Sequence, residues 1–165
     1  MTARASSENP LTVFIYGYGN PSRGDDGAGI ALAERLEETA HPHVKVDTNY
    51  QLNAEDALAI SAYDIVIFAD ASQNDIEHFS FTSLQPAPEV TFTTHAMAPS
   101  SVVALCRDLY AKQPDAFLLE IKGYSWELGE PMTPQARHNL DKACSFLYDL
   151  IAVPHLQRFR QAAAG

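Results

Sequence analysis

Residues 11–29, LTVFIYGYGNPSRGDDGAG, decide how this chain reads. Leu11 to Tyr16 is an apolar run rich in β-branched and aromatic residues, the composition of a strand covered on both faces. A glycine-rich turn follows at once. Gly27 to Glu38 then places Gly29, Leu32, Ala33 and Leu36 on one helical face. Strand, glycine turn and helix together open a parallel α/β unit. Gly19 and Gly24 enclose four residues, as in a phosphate-binding P-loop, but Asp25 and Asp26 stand where that motif needs Lys and then Ser or Thr. A G-x-G-x-x-G fingerprint starting at Gly17 would need glycine at position 22, which is Ser22. Two carboxylates at a helix start repel a phosphate and attract a cation, and Arg23 offsets only one of the charges.

The alternation continues downstream. HVKVDT (43–48) is an alternating strand, Asn53 to Ser61 a short helix capped by Asn53, and DIVIFA (64–69) a second buried strand ending at Asp70. HFSFTSL (78–84) reads as an edge strand. PAPEV (86–90) is excluded from a central strand because proline lacks an amide donor. VTFTT (90–94) extends to His95, and Pro99 to Ala111 is helical with Val102, Cys106, Leu109 and Tyr110 in register. AFLLEIKGY (116–124) is a further strand. Thr133 caps a last helix with Pro134 in its first turn and Leu140, Ala143, Cys144, Leu147 and Ile151 on its buried face. The pattern predicts one α/β domain over residues 1–165: a three-layer, mostly parallel, twisted sheet of about five strands with helices on both faces. Residues 1–10 and 160–165 read as loose ends.

The 165 residues carry a net charge of −10. That balance disfavours nucleic acid and anionic membrane as partners. Cys106 and Cys144 fall at apolar helical positions and form no CxxC pair, so they read as buried structural thiols. No apolar signal core opens the chain and no stretch is long enough to span a bilayer, so a cytoplasmic location is expected. No broad apolar stripe stands out, and a monomer is expected.

Ligands of open parallel sheets collect beyond the carboxyl ends of the strands, where strand order reverses. Asp25, Asp26, Asp70 and His95 all follow candidate strands. Two carboxylates and an imidazole suit a borderline metal ion with open coordination positions. Plainer roles compete: Asp25 or Asp26 as a helix cap, Asp70 closing a turn, His95 as a satisfied polar residue. A phosphoryl-accepting receiver domain is a rival reading, with Asp70 as acceptor, Thr93 or Thr94 as the hydroxyl and Lys122 as the lysine. The long glycine-proline loop before the acidic pair argues against it. His41, His43, His78, His138 and His155 fall in connections or at polar or terminal positions. No G-x-S-x-G or H-E-x-x-H motif is present.

Three ordered blocks resemble a known family. GYGNPSRGDDGAG (17–29) is similar to the amino-terminal signature of the [NiFe]-hydrogenase maturation proteases, which runs Gly-x-Gly-Asn, an acidic pair and Gly-x-Gly. FADAS (68–72) resembles their second block and THAMAPSSVVAL (94–105) their third, while GYSWELGEPMTP (123–134) is similar to a late segment of one subgroup. The resemblance implies nickel recognition by Asp26, Asp70 and His95, which are also the implied catalytic residues. Asp26 stands where some members have Glu, one methylene longer, and Asp25 is left as a cap or supporting group. The implied activity is an endopeptidase that removes a carboxyl-terminal extension from the hydrogenase large-subunit precursor once nickel is inserted. The nickel belongs to that precursor. A nickel-binding assembly factor that docks without cutting shares the same site. Gln51 and Glu55 resemble a subgroup feature near the site, with a helix-surface role as the alternative.

Overall fold

A computed structural model describes residues 10–39, 41–88 and 97–165. In chain order the elements are β1 (Val13–Tyr18), a 3-10 turn (Gly24–Gly27), α1 (Ala28–Glu37), β2 (Val44–Asn49), α2 (Asp56–Ile60), β3 (Ile65–Ser72) and β4 (Phe79–Leu84). After these come α3 (Pro99–Tyr110), β5 (Asp115–Lys122), α4 (Pro134–Ala152) and α5 (Leu156–Ala164). The five strands form one sheet in the order β2-β1-β3-β5-β4. All neighbours pair in parallel except β4, which runs antiparallel to β5 at the edge.

Alternation along the central strands builds two cores. Val13, Ile15, Ile65 and Ile67 meet Leu32 and Leu36 of α1 and Leu140 and Leu147 of α4 on one face. Phe14, Tyr16, Val66 and Phe68 meet Ile60 of α2 and Val102, Val103 and Cys106 of α3 on the other. Full burial of each such side chain contributes about 1.5–3 kcal/mol, so covering both faces is what makes the sheet stable. The expected three layers are present. Cys106 and Cys144 are buried free thiols, as read from the sequence. Among the described residues no helix is long and apolar enough to cross a membrane.

Several boundaries differ from expectation. β3 runs to Ser72, so Asp70 lies within the strand rather than just past its end. The second helix is only Asp56–Ile60, and Asn53 does not cap it. Instead the Asn53 amide donates to the Asp56 carboxylate at 2.7 Å, which closes the preceding turn from the opposite direction. The closing residues, expected to be loose from 160, are the end of α5. Phe159 anchors that helix: it is fully buried, with its ring centre 5.8 Å from that of Phe117. One aromatic residue in nine was too sparse a signal for a helical stripe. The strand expected over 90–94 lies outside the described residues.

α1 sits almost backbone-to-backbone on the sheet. A Cβ on Gly17 would collide with the carbonyl oxygen of Gly29, and a Cβ on Gly29 would collide with the carbonyl oxygen of Ala69. Gly17 therefore serves the close approach of helix to sheet. β1 sends the chain to β2 on one side and adjoins β3 on the other, so strand order reverses between β1 and β3. The glycine contacts thus set how closely the acidic turn approaches that crevice. Gly29→Ala is expected to push α1 off the sheet and cost about 2 kcal/mol, measured by urea unfolding.

Candidate functional site

The loop after β1 is shaped by two residues in the left-handed half of backbone space, Gly19 at φ 135° and Gly24 at φ 55°. Between them Asn20 builds a turn. Its side-chain oxygen accepts from the Ser22 amide at 2.9 Å, and its carbonyl accepts from the Arg23 amide at 3.1 Å. The Gly19 amide donates to the Asn49 carbonyl at the end of β2 at 3.3 Å. The loop then enters the Gly24–Gly27 turn with its two carboxylates pointing to different tasks.

Asp25 is fully buried and holds a distant segment in place. Its carboxylate accepts from the amides of Tyr124 at 2.7 Å, Ser125 at 3.0 Å and Thr133 at 2.7 Å, and from the Thr133 hydroxyl at 2.9 Å. Backbone bonds from Gly24 to Glu130, from Asp25 to Ser125 and from Gly129 to Ser22 stitch the same junction. Thr133 also caps α4 by accepting from the Ala136 amide. Asp25 is therefore neither a cap of its own helix nor free to hold an ion.

Asp26 is half-buried and accepts from the Asn20 amide at 2.8 Å, which fixes it at the start of the loop. Asp70 stands across the switch point on β3 and accepts from the Ala71 amide at 2.8 Å. Burial, the dominant cause, pushes Asp70 up to about 7. The charges of Asp26 and Glu120 push the same way, against the Ala71 amide and the Tyr18 hydroxyl, which favour the ionised form. Tyr18, the last residue of β1, is itself held protonated far above its ordinary range by burial first and by the charge of Asp70 next. The structure thus brings Asp26 and Asp70 into electrostatic contact. A cation between them would relieve their repulsion and the cost of burying Asp70.

Tyr18 and Glu120 were not singled out by sequence reasoning. Glu120 pairs in register with Asp70 on the neighbouring strand. Its charge after the apolar run AFLL (116–119) was the available signal. Gln51 and Glu55 are exposed, Gln51 in the bend after β2 and Glu55 in the turn before α2. His95, Thr93 and Thr94 lie outside the described residues. Among the described residues no three His, Cys, Asp or Glu side chains converge to hold a metal ion. For a receiver, Asp25 is spent elsewhere, the Lys122 ammonium is bound by the carbonyls of Gln73 and Asn74, and the edge strand β4 is antiparallel where the five-stranded receiver sheet is parallel.

No protein-family model and no curated protein matches the sequence. Solved structures do match its backbone. The [NiFe] hydrogenase maturation protease HycI from Thermococcus kodakarensis KOD1 superposes with a TM-score of 0.70 at 23% identity, over 88% of this chain and 95% of that one. The chain has the fold of the [NiFe] hydrogenase maturation proteases. The hydrogenase maturating endopeptidase HybD from E. coli superposes at 0.68 with 18% identity, over 86% of this chain and 93% of the other. The HybD maturation protease from Thermococcus kodakarensis gives 0.67 at 17% identity, over 85% and 99%. This maturation-protease fold sets Asp26 and Asp70 on either side of its switch point.

The two neighbouring acids should differ in what their removal costs. Asp25→Ala leaves buried donors without an acceptor and is expected to cost about 3 kcal/mol or more, whereas Asp26→Ala costs under about 1 kcal/mol. Thermal unfolding of both variants checks this. Asp70 holds its proton more tightly folded than unfolded, so its ionisation lowers stability as pH rises from 3.8 to about 7. Asp70→Asn removes that penalty. Its melting temperature is expected to exceed wild type by a margin that grows across this window and stays constant above it, read by calorimetry over a pH series.

Proposed function

We propose that this protein is a hydrogenase maturation endopeptidase. It removes the carboxyl-terminal extension of a [NiFe]-hydrogenase large-subunit precursor after nickel insertion, in the cytoplasm. The observation that carries the reading is the Asp26–Asp70 pair facing the strand-order reversal of a maturation-protease fold. Two carboxylates that raise each other's energy are completed by a divalent cation rather than by a substrate anion. His95 is the third ligand in this proposal, because two residues further on the Met97 amide donates to the Leu52 carbonyl at 3.4 Å, beyond the carboxyl end of β2.

The nickel arrives with the precursor, and Asp26, Asp70 and His95 read whether it is there. An empty acidic site has low affinity for a metal-free precursor and gains its attraction only when the cation is in place. Once held, the ion orients the precursor tail against the site, a positioning contribution to cleavage. In the empty site Asp70 holds a proton up to about neutral pH, and it gives that proton up as the cation is taken on. Asp25 supports the site by rigidifying the turn that carries Asp26.

The test is incubation with nickel-loaded precursor followed by intact-mass measurement. The expected result is loss of the terminal peptide from loaded precursor only. A stable complex with unchanged precursor mass would overturn cleavage and leave a non-cutting assembly factor. Ala at position 26, 70 or 95 is expected to lower processing by at least about a hundredfold, with no melting temperature more than a few degrees below wild type.

A further inference from the structure

A second cluster of metal-ligating side chains lies at the same end of the sheet but on its far edge. His78 immediately precedes β4, the edge strand, two strands from β3 and Asp70. Its ring meets that of His138 on α4, with centres 5.6 Å apart and planes at 76°. Glu77, Tyr124, Gln135 and Asn139 join the two histidines around an open pocket of about 380 Å³.

The hydrogen bonds there specify the state of His78. Asn139 is almost fully buried, and its amide nitrogen donates to the Lys122 carbonyl at 3.1 Å and to the Tyr124 hydroxyl at 3.0 Å. Both amide protons are committed, so the Asn139 oxygen is the atom facing His78 Nδ1, 2.9 Å away. An oxygen can only accept. Nδ1 of His78 therefore carries the proton, and Nε2 presents its lone pair outward. The Glu77 carboxylate lies 3.8 Å from Nε2, beyond hydrogen-bonding distance. An imidazole whose inner nitrogen donates to a buried amide oxygen, with its outer nitrogen open, has the arrangement of a metal-ligating histidine. The ring separation agrees: two imidazoles bound to one ion at about 2.1 Å place their centres about 5–6 Å apart. The Lys122 ammonium is held by the carbonyls of Gln73 and Asn74.

We propose that His78 and His138 bind a divalent transition-metal ion of the zinc or nickel class, separately from the Asp26–Asp70 pair. Water completes the shell. Two imidazoles select such ions over magnesium or calcium, which prefer oxygen. The site does not depend on the proposed protease activity.

The test is a zinc chloride titration of the full chain, followed by isotope-edited NMR of its six imidazoles. The ring nitrogens of His78 and His138 are expected to shift together along one saturation curve, unchanged in Asp70→Asn. His138→Gln, a change at an exposed position, is expected to weaken zinc binding at His78 by about tenfold or more. Resonances of His78 and His138 that stay in place through a large zinc excess would overturn the proposal, as would an equal His78 response in His138→Gln. The response of His95 in the same spectra reports on the proposed nickel-reading site, so failure of either site is seen independently of the other.

Discussion

One buried carboxylate organises the working end of this molecule. Asp25 collects three backbone amides and one hydroxyl from a segment a hundred residues away. Charge-assisted bonds of this kind are the strong ones, and a buried anion tolerates no vacancy among them. Through them the turn after β1 and the 123–133 segment become a single rigid unit. Trp126 packs into the same junction, close against Gly123. The start of α4 is fixed by it too, because Thr133 serves both Asp25 and the helix cap.

That rigidity lets the next residue be strained electrostatically. Across the strand-order reversal, the charge of Asp26 adds to the cost of ionising Asp70. Burial and like charge together hold the Asp70 proton near neutral pH, a state that costs folding stability whenever it is lost. Such arrangements concentrate at functional sites because the cost is recovered on binding. The contrast between the two adjacent acids is the main structural lesson. One is satisfied and holds the scaffold, while the other is left in tension with a neighbour across the strand-order reversal.

Much of this was legible beforehand. Buried strands such as Val13–Tyr18 and Ile65–Ser72 are apolar runs bounded by turn residues, and the helices carry apolar residues at helical spacing. Local patterns of this kind need no partner to be read. The three-residue extension of β3 was not readable, because Asp70, Ala71 and Ser72 become strand only by pairing with Glu120, Ile121 and Lys122. α5 was missed because its stability comes from one buried aromatic, Phe159, seated on Phe117. Nor could Glu120 be assigned to the site, since its place beside Asp70 is set by the register of β5 on β3.

The sequence by itself determined the fold class, the position of the acidic turn and the incompatibility of that turn with phosphate. Those follow from side-chain period, glycine placement and charge, all properties of neighbours along the chain. Only the tertiary structure decided which of two consecutive aspartates is structural. Asp25 and Asp26 have the same chemistry and nearly the same local context, and what separates them is the direction each side chain takes. Asp25 points to donors on Tyr124, Ser125 and Thr133, and Asp26 to the Asn20 amide. The Asp25 donors lie about a hundred residues along the chain, and no local pattern encodes a partner at that separation.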